Sequence, residues 1–74
     1  MQFGRAMKVM RALRGMSQAA LSVETGIALT NIARAERGAY NLKREQADRV
    51  RMALCWPKEI DHLLDKIEGF RYEQ

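Results

Sequence analysis

The stretch between Ser17 and Gly38 constrains the fold of this chain most, because it predicts two short helices joined by a tight turn. Ser17 is a favourable N-cap, since its hydroxyl can accept a hydrogen bond from a backbone N–H in the first helical turn. Gly26 permits the left-handed backbone that ends a helix, and Ile27 beyond it can pack on Leu21. Two helices this short cannot bury enough surface alone, so the flanking segments must complete a bundle.

The second helix of this pair is predicted from about Leu29 to Arg37, and its positions divide into two faces. Ile32 and Ala35 lie at the spacing of an inward stripe, with Glu36 beside them. The other positions fall on a different face, which this helix can present to a partner. That face comprises Leu29, Thr30, Ala33, Arg34 and Arg37.

Three further helices are predicted around this pair. Residues 2–14 place apolar side chains at steps of three and four, which indicates one buried stripe. A fourth helix is expected from about Lys43 to Leu54, and a fifth from about Pro57 to Glu68. The first stripe consists of Phe3, Ala6, Met7, Met10 and Leu13, and that of the fourth helix of Ala47, Val50 and Leu54.

The fifth predicted helix carries an apolar stripe that allows two uses. It can cover the bundle only, or it can also extend onto a second copy of the chain. We expect the second use, and therefore a homodimer, because four helices already nearly close the bundle. The predicted dimer interface consists of Ile60, Leu63, Leu64, Ile67 and Phe70.

Charge is distributed unevenly along the chain. Residues 1–51 contain ten Lys or Arg against four Asp or Glu, whereas residues 52–74 contain three against five. Such an asymmetry is expected if one face meets a polyanion, although an ordinary solvated surface gives similar counts. The basic part holds the two-helix stretch, so nucleic acid is a reasonable partner to consider.

Length and cysteine content limit the class of protein. The 74 residues are expected to form a single domain with a small core, about residues 3–56, followed by the predicted C-terminal helix. Cys55 cannot form an internal disulfide and is expected to be a free, buried thiol. Nothing is similar to a signal peptide or a long apolar span, so a cytoplasmic location is expected.

The sequence gives little evidence for catalysis or metal binding. His62 lies beside Asp61 and Asp65, but no second His or Cys stands at the spacing of metal ligands. A glycine-rich phosphate loop is also absent from the sequence. We therefore expect no enzymatic activity, no metal site and no cofactor.

A family pattern runs through the first four predicted helices. Its central positions are Gln18, Leu21, Ser22, Gly26, Ile27 and Ile32, followed by Glu36-Arg37-Gly38. With Met10-Arg11 and the run from Gly15 to Gln18 ahead of it, this pattern resembles the helix-turn-helix of the phage lambda repressor and Cro superfamily. The resemblance covers about residues 5 to 56 and implies an all-α, five-helix DNA-binding domain.

The resemblance implies a sequence-specific regulator of double-stranded DNA, of the phage or restriction-modification controller type. It would act as a homodimeric repressor or autoregulator on an inverted-repeat operator, by blocking access of RNA polymerase. Such a protein would be associated with the nucleoid. Arg34 is the best candidate for reading a base, because a guanidinium can bond both O6 and N7 of guanine. The positions implied to contact base edges are Leu29, Thr30, Asn31, Ala33 and Arg34.

A second set of residues is expected to hold the DNA backbone. Gln18 would contact a phosphate and brace the recognition helix, and Arg11 and Glu36 match a family pair that forms a salt bridge between helices one and three. Phosphate contacts fix the register of a protein on DNA without reading sequence. The predicted backbone contacts are Arg14, Gln18, Arg37, Tyr40, Asn41, Lys43 and Arg44.

One alternative keeps the fold but changes its use. An antitoxin-like or scaffold module would bind a partner protein through the fifth helix rather than DNA through the third. The apolar Leu29 and Ala33 on the outward face of the third helix give this alternative some support.

Overall fold

The structure is a computed structural model that describes residues 3–57. Within that range the chain forms four helices and no strand. Apart from its first residue, Pro57, the fifth predicted helix lies outside the described residues. The predicted dimer interface, Ile60, Leu63, Leu64, Ile67 and Phe70, lies there too. The helices are α1 (Phe3–Leu13), α2 (Gln18–Thr25), α3 (Leu29–Glu36) and α4 (Arg44–Ala53). No helix in this part of the chain has the length and apolar character needed to cross a membrane.

A single hydrophobic cluster joins all four helices. Met7 and Met10 of α1 meet Leu21 of α2, while Ile32 of α3 and Val50 of α4 complete the centre. The unbranched, flexible methionine side chains suit a core where several helices meet. The predicted inward stripes are confirmed for Ala6, Met7, Met10, Ile32, Ala35, Ala47, Val50 and Leu54, which are all buried.

Two predictions about burial are wrong. Leu13 is 69% exposed, because α1 ends at this residue and the turn at Gly15, with a φ of +65°, brings Met16 against the core instead. Cys55 is exposed rather than buried. It follows the last turn of α4 with a φ of +51°, so the chain has left the helix before reaching it.

The ends of α2 form as the sequence predicts. The Ser17 hydroxyl accepts a hydrogen bond from the Ala20 N–H at 3.0 Å, and Gly26 has a left-handed φ of +72°. The Ser22 hydroxyl donates to the Ile27 carbonyl at 2.6 Å. These bonds satisfy backbone groups in the turn and hold α3 at a fixed angle to α2.

Gly4 allows α1 and α3 to approach closely. A Cβ atom at this position would overlap the carbonyl oxygen of Ala35. That oxygen already accepts the Gly38 N–H at 3.0 Å in the turn after α3. Any larger residue at position 4 must therefore separate the two helices.

The two ends of the described region meet on one side of the molecule. The rings of Phe3 and Trp56 stack with centroids 5.1 Å apart. The guanidinium of Arg51 lies over the Phe3 ring, 4.8 Å from its centroid, and bonds Asp48 at 3.3 Å. Within the described residues, Trp56 Nε1 is buried without a hydrogen-bond partner.

Candidate nucleic-acid interface

The outward face of α3 is largely open to solvent. Thr30 and Arg34 are exposed, and Leu29 keeps 44% of its surface exposed at the start of the helix. Asn31 and Ala33 are half-buried beside them. Because residues four apart are neighbours on a helix surface, Thr30 and Arg34 form one continuous polar patch.

The opposite face of α3 is fixed to the rest of the molecule by packing. Ile32 is fully buried and Ala35 keeps only 4% of its surface. The backbone N–H groups at the start of α3 are less well satisfied, because Ala28 at the N-cap position has no side chain able to accept a hydrogen bond from the first turn. Orientation of α3 therefore depends on its buried face and on polar contacts at its far end.

Those polar contacts centre on Glu36, the last residue of α3. Arg11 binds its carboxylate with two parallel bonds, Nε to Oε2 at 2.8 Å and Nη2 to Oε1 at 3.0 Å. The third nitrogen of Arg11 donates to the Met16 carbonyl at 2.9 Å, and Gln18 Nε2 donates to Glu36 Oε1 at 2.9 Å. Three segments, α1, the α1–α2 turn and α2, are thereby tied to the end of α3.

Burial and bonding act in opposite directions on the Glu36 carboxylate, whose side chain is only 3% exposed. Burial by itself raises the pKa of Glu36, but hydrogen bonds from Arg11 and Gln18, with the charges of Arg11 and Lys8, leave that pKa below its ordinary value. The bond to Glu36 likewise raises the pKa of Arg11, against the effect of its own desolvation. Both groups are therefore charged at neutral pH.

The structure places Arg11 and Glu36 in the salt bridge that the family resemblance implies, and Gln18 beside it. The Gln18 amide already bonds Glu36, so Gln18 braces α3 directly, which is one of its two predicted roles. The start of α2 and the end of α3 are thus linked through one carboxylate.

The loop after α3 carries most of the predicted backbone contacts. Arg37, Asn41 and Lys43 are exposed there, as is Arg44 at the start of α4, and Tyr40 is half-buried. The loop joins the end of α3 to the start of α4. The cations Arg37, Lys43 and Arg44 therefore follow the patch of Thr30 and Arg34 closely in the sequence. At the end of the loop, the side chain of Gln46 in α4 accepts the Lys43 N–H at 2.9 Å and so caps α4.

Arg14 is placed apart from the other predicted backbone contacts. Its Nε donates to the Leu54 carbonyl at 2.8 Å and its Nη2 to the Cys55 carbonyl at 3.0 Å. It therefore caps the C-terminal end of α4, whereas Lys43 and Arg44 lie at the other end, about 15 Å away for a helix of this length. Arg14 stabilises the bundle rather than extending the basic loop.

A groove of about 440 Å³ lies between the start of α1, the loop and α4. Its lining includes Tyr40 and Arg44 from the basic loop region, together with Phe3, Asp48 and Arg51. Among residues 3–57, no cluster of His, Cys, Asp or Glu is arranged to hold a metal ion. In this groove, Asp48 pairs with Arg51 at 3.3 Å.

Two residues of this region were not singled out from the sequence. No local sequence pattern identifies Gly4, because its role depends on how closely α3 approaches α1. Gln46 does have one: it stands three residues after the N-cap position Lys43, which is the spacing of the second half of a capping box.

No family model, curated protein or solved structure matches this chain. Function must therefore be inferred from the geometry of α3 and its surroundings.

Proposed function

We propose that this chain is a sequence-specific regulator of double-stranded DNA, in which α2 and α3 form a helix-turn-helix similar to that of the lambda repressor and Cro superfamily. The single observation that supports this most is the outward face of α3. It exposes Thr30 and Arg34 on a short helix that is braced on its other side, as a recognition helix must be.

The residues of this face match the chemistry of the major groove. Arg34 can bond O6 and N7 of a guanine, and Thr30 can donate to or accept from a base edge. Leu29 and Ala33 can contact only the methyl group of a thymine. We therefore propose that base recognition depends on few hydrogen bonds, with Arg34 contributing the most.

The exposed cations after α3 would hold the phosphate backbone. Arg37, Lys43 and Arg44 are exposed, and within residues 3–57 none of these three is paired with a carboxylate. Cations of this kind release counterions when they meet DNA, so binding should weaken steeply as salt concentration rises. They would set the register in which α3 enters the groove.

A two-fold homodimer is the assembly we propose for operator binding. Two copies of α3 would enter successive major grooves about 34 Å apart and select an inverted repeat. Occlusion of RNA polymerase at such an operator would make the protein a repressor. The fifth predicted helix, about residues 57–68, is the segment expected to join the two copies.

Selection of bound sequences from a random DNA pool tests this proposal. We expect an inverted repeat with a guanine in each half-site, and the double variant Thr30→Ala with Arg34→Ala should lose that preference. Removal of one bidentate pair of hydrogen bonds to a base should cost about 1–3 kcal/mol of discrimination.

Arg49→Ala is the matched control for the loss of one charge. Arg49 is exposed on α4 and pairs only weakly with Glu45 at 3.5 Å, so its removal should leave sequence preference unchanged. Failure of the wild type to enrich any sequence would refute the proposal.

Exposed apolar side chains favour a second candidate function, contact with a partner protein in an antitoxin-like or scaffold role. Val23 is 83% exposed and Met52 80% exposed, in addition to Leu29 on α3. This candidate predicts that the Thr30 and Arg34 substitutions change no binding property of the protein. The same pair of substitutions therefore separates the two functions.

A further inference from the structure

Tyr40 touches both α3 and the start of α4, and its ring is held on several sides. It packs against the hydrophobic core. The Arg34 guanidinium carbon lies 5.6 Å from the ring centroid, within cation–π range. The hydroxyl lies 3.4 Å from Gln46 Oε1, the oxygen that also accepts the Lys43 N–H at 2.9 Å.

We infer that Tyr40 is a positioning residue for Arg34: its ring holds the guanidinium in the orientation with which Arg34 would bind a guanine. This inference rests on the proposed DNA-binding function. It assigns Tyr40 a role in sequence preference, whereas its predicted role from the sequence is a contact to the DNA backbone.

Stacking and base contact are compatible because a guanidinium is planar. Its faces stack on aromatic rings, while its N–H groups point outward in the plane. A ring against one face therefore leaves the edge free to donate to O6 and N7 of guanine. The Tyr40 ring supports the guanidinium without competing for its donors.

The benefit of the ring is that Arg34 is partly ordered before DNA arrives. A free arginine side chain has many rotamers, and fixing them on binding lowers affinity for the correct base. The Tyr40 ring is itself fixed by the core and by Gln46, so it can act as a rigid support. Cation–π contacts at exposed sites correspond to about a two- to fivefold change in an equilibrium constant.

Two substitutions separate this role from a backbone contact. Tyr40→Phe keeps the ring but removes the hydroxyl, the only group of the Tyr40 side chain able to bond a phosphate. Tyr40→Leu removes the aromatic face but keeps an apolar side chain against the core. A positioning role predicts that only Tyr40→Leu lowers sequence preference.

The test uses the full chain and the inverted repeat that it selects. The base pair at which Arg34→Ala loses preference is replaced in both half-sites. For each variant, the Kd on the replaced DNA is divided by the Kd on the selected DNA, so that a lower ratio means a weaker sequence preference. Partial unfolding of a variant raises both Kd values by the same factor, so the ratio is unaffected.

We expect Tyr40→Leu to lower the ratio about two- to fivefold per half-site, and Tyr40→Phe to keep it near that of the wild type. At a base pair whose preference survives Arg34→Ala, Tyr40→Leu should leave the corresponding ratio unchanged, since Tyr40 acts through Arg34.

Three results would overturn the inference. Tyr40→Leu could leave the ratio unchanged, or lower the corresponding ratio equally at a base pair whose preference survives Arg34→Ala. Alternatively, Tyr40→Phe could lower the ratio as much as Tyr40→Leu does, which would assign the effect to the hydroxyl rather than to the ring. Each of these leaves DNA recognition by α3 intact, whereas a wild type that selects no sequence refutes the proposed function and this role together.

Discussion

Replacing Arg11 by Met tests how far the orientation of α3 depends on one ion pair. The substitution keeps an unbranched side chain of similar length but removes every donor that Arg11 offers to Glu36 and to the Met16 carbonyl. The Glu36 carboxylate, whose side chain is 3% exposed, would then retain only the bond from Gln18 and the more distant charge of Lys8.

The expected cost is about 3 kcal/mol of the free energy of unfolding, because removing one partner of a buried pair leaves an uncompensated charge. We place it at the lower end of the range for buried pairs, since Arg11 itself keeps 16% of its side-chain surface. For a domain of this size that is a large share of a total stability of about 5 kcal/mol.

Urea denaturation at pH 7, followed by circular dichroism at helix wavelengths, measures this change as a shift of the midpoint. The double variant Arg11→Met with Glu36→Leu is the control, because it removes both charges. It should recover at least half of the stability that the single variant loses, as replacement of a whole buried pair by apolar groups is often nearly neutral. A single variant within about 0.5 kcal/mol of the wild type would show that packing alone holds α3.

Three further predictions follow from other contacts. Gly4→Ala should destabilise the fold by about 2 kcal/mol in thermal unfolding, because overlap with the Ala35 carbonyl outweighs the better helix propensity of alanine; an unchanged or raised Tm would contradict the close approach. The free energy of unfolding should fall as pH drops below the ordinary pKa of a glutamate, because the pKa of Glu36 is lowered in the folded chain. The stabilisation that Glu36 gives is lost as pH falls through this folded pKa. Urea midpoints measured across pH should show this slope in the wild type and not in Glu36→Gln. Leu64→Asp, outside the described residues, should give monomers by light scattering if the predicted stripe joins two copies, and a persisting dimer would remove that assignment.

Local signals in the sequence predict the two-helix stretch well. The hydroxyl of Ser17 and the backbone freedom of Gly26 act within one helical turn, so the caps could be located without knowing the tertiary structure. The inward faces of α3 and α4 follow from spacing for the same reason. Periodicity cannot show where a helix stops being covered by its neighbours. For that reason it wrongly predicted that Leu13 is buried.

Contacts between distant segments were harder to predict. The role of Gly4 depends on the distance between α1 and α3, and the cation–π contact of Arg34 with Tyr40 depends on the path of the loop. The pair of Arg11 and Glu36 lies 25 residues apart in the chain, and only the family resemblance indicated it. Spacing identified the outward residues of α3, but not which of them are held in place by neighbours.

The stack of Phe3 on Trp56 has a practical consequence for experiments on this molecule. Trp56 is the only tryptophan in the sequence, so the intrinsic fluorescence excited at its long-wavelength edge comes from one position. Separation of the first turn from the end of α4 would expose the indole to water and move its emission to the red. Trp56 is thus an optical reporter of fraying where the first turn of α1 meets the segment after α4, distinct from loss of the helices.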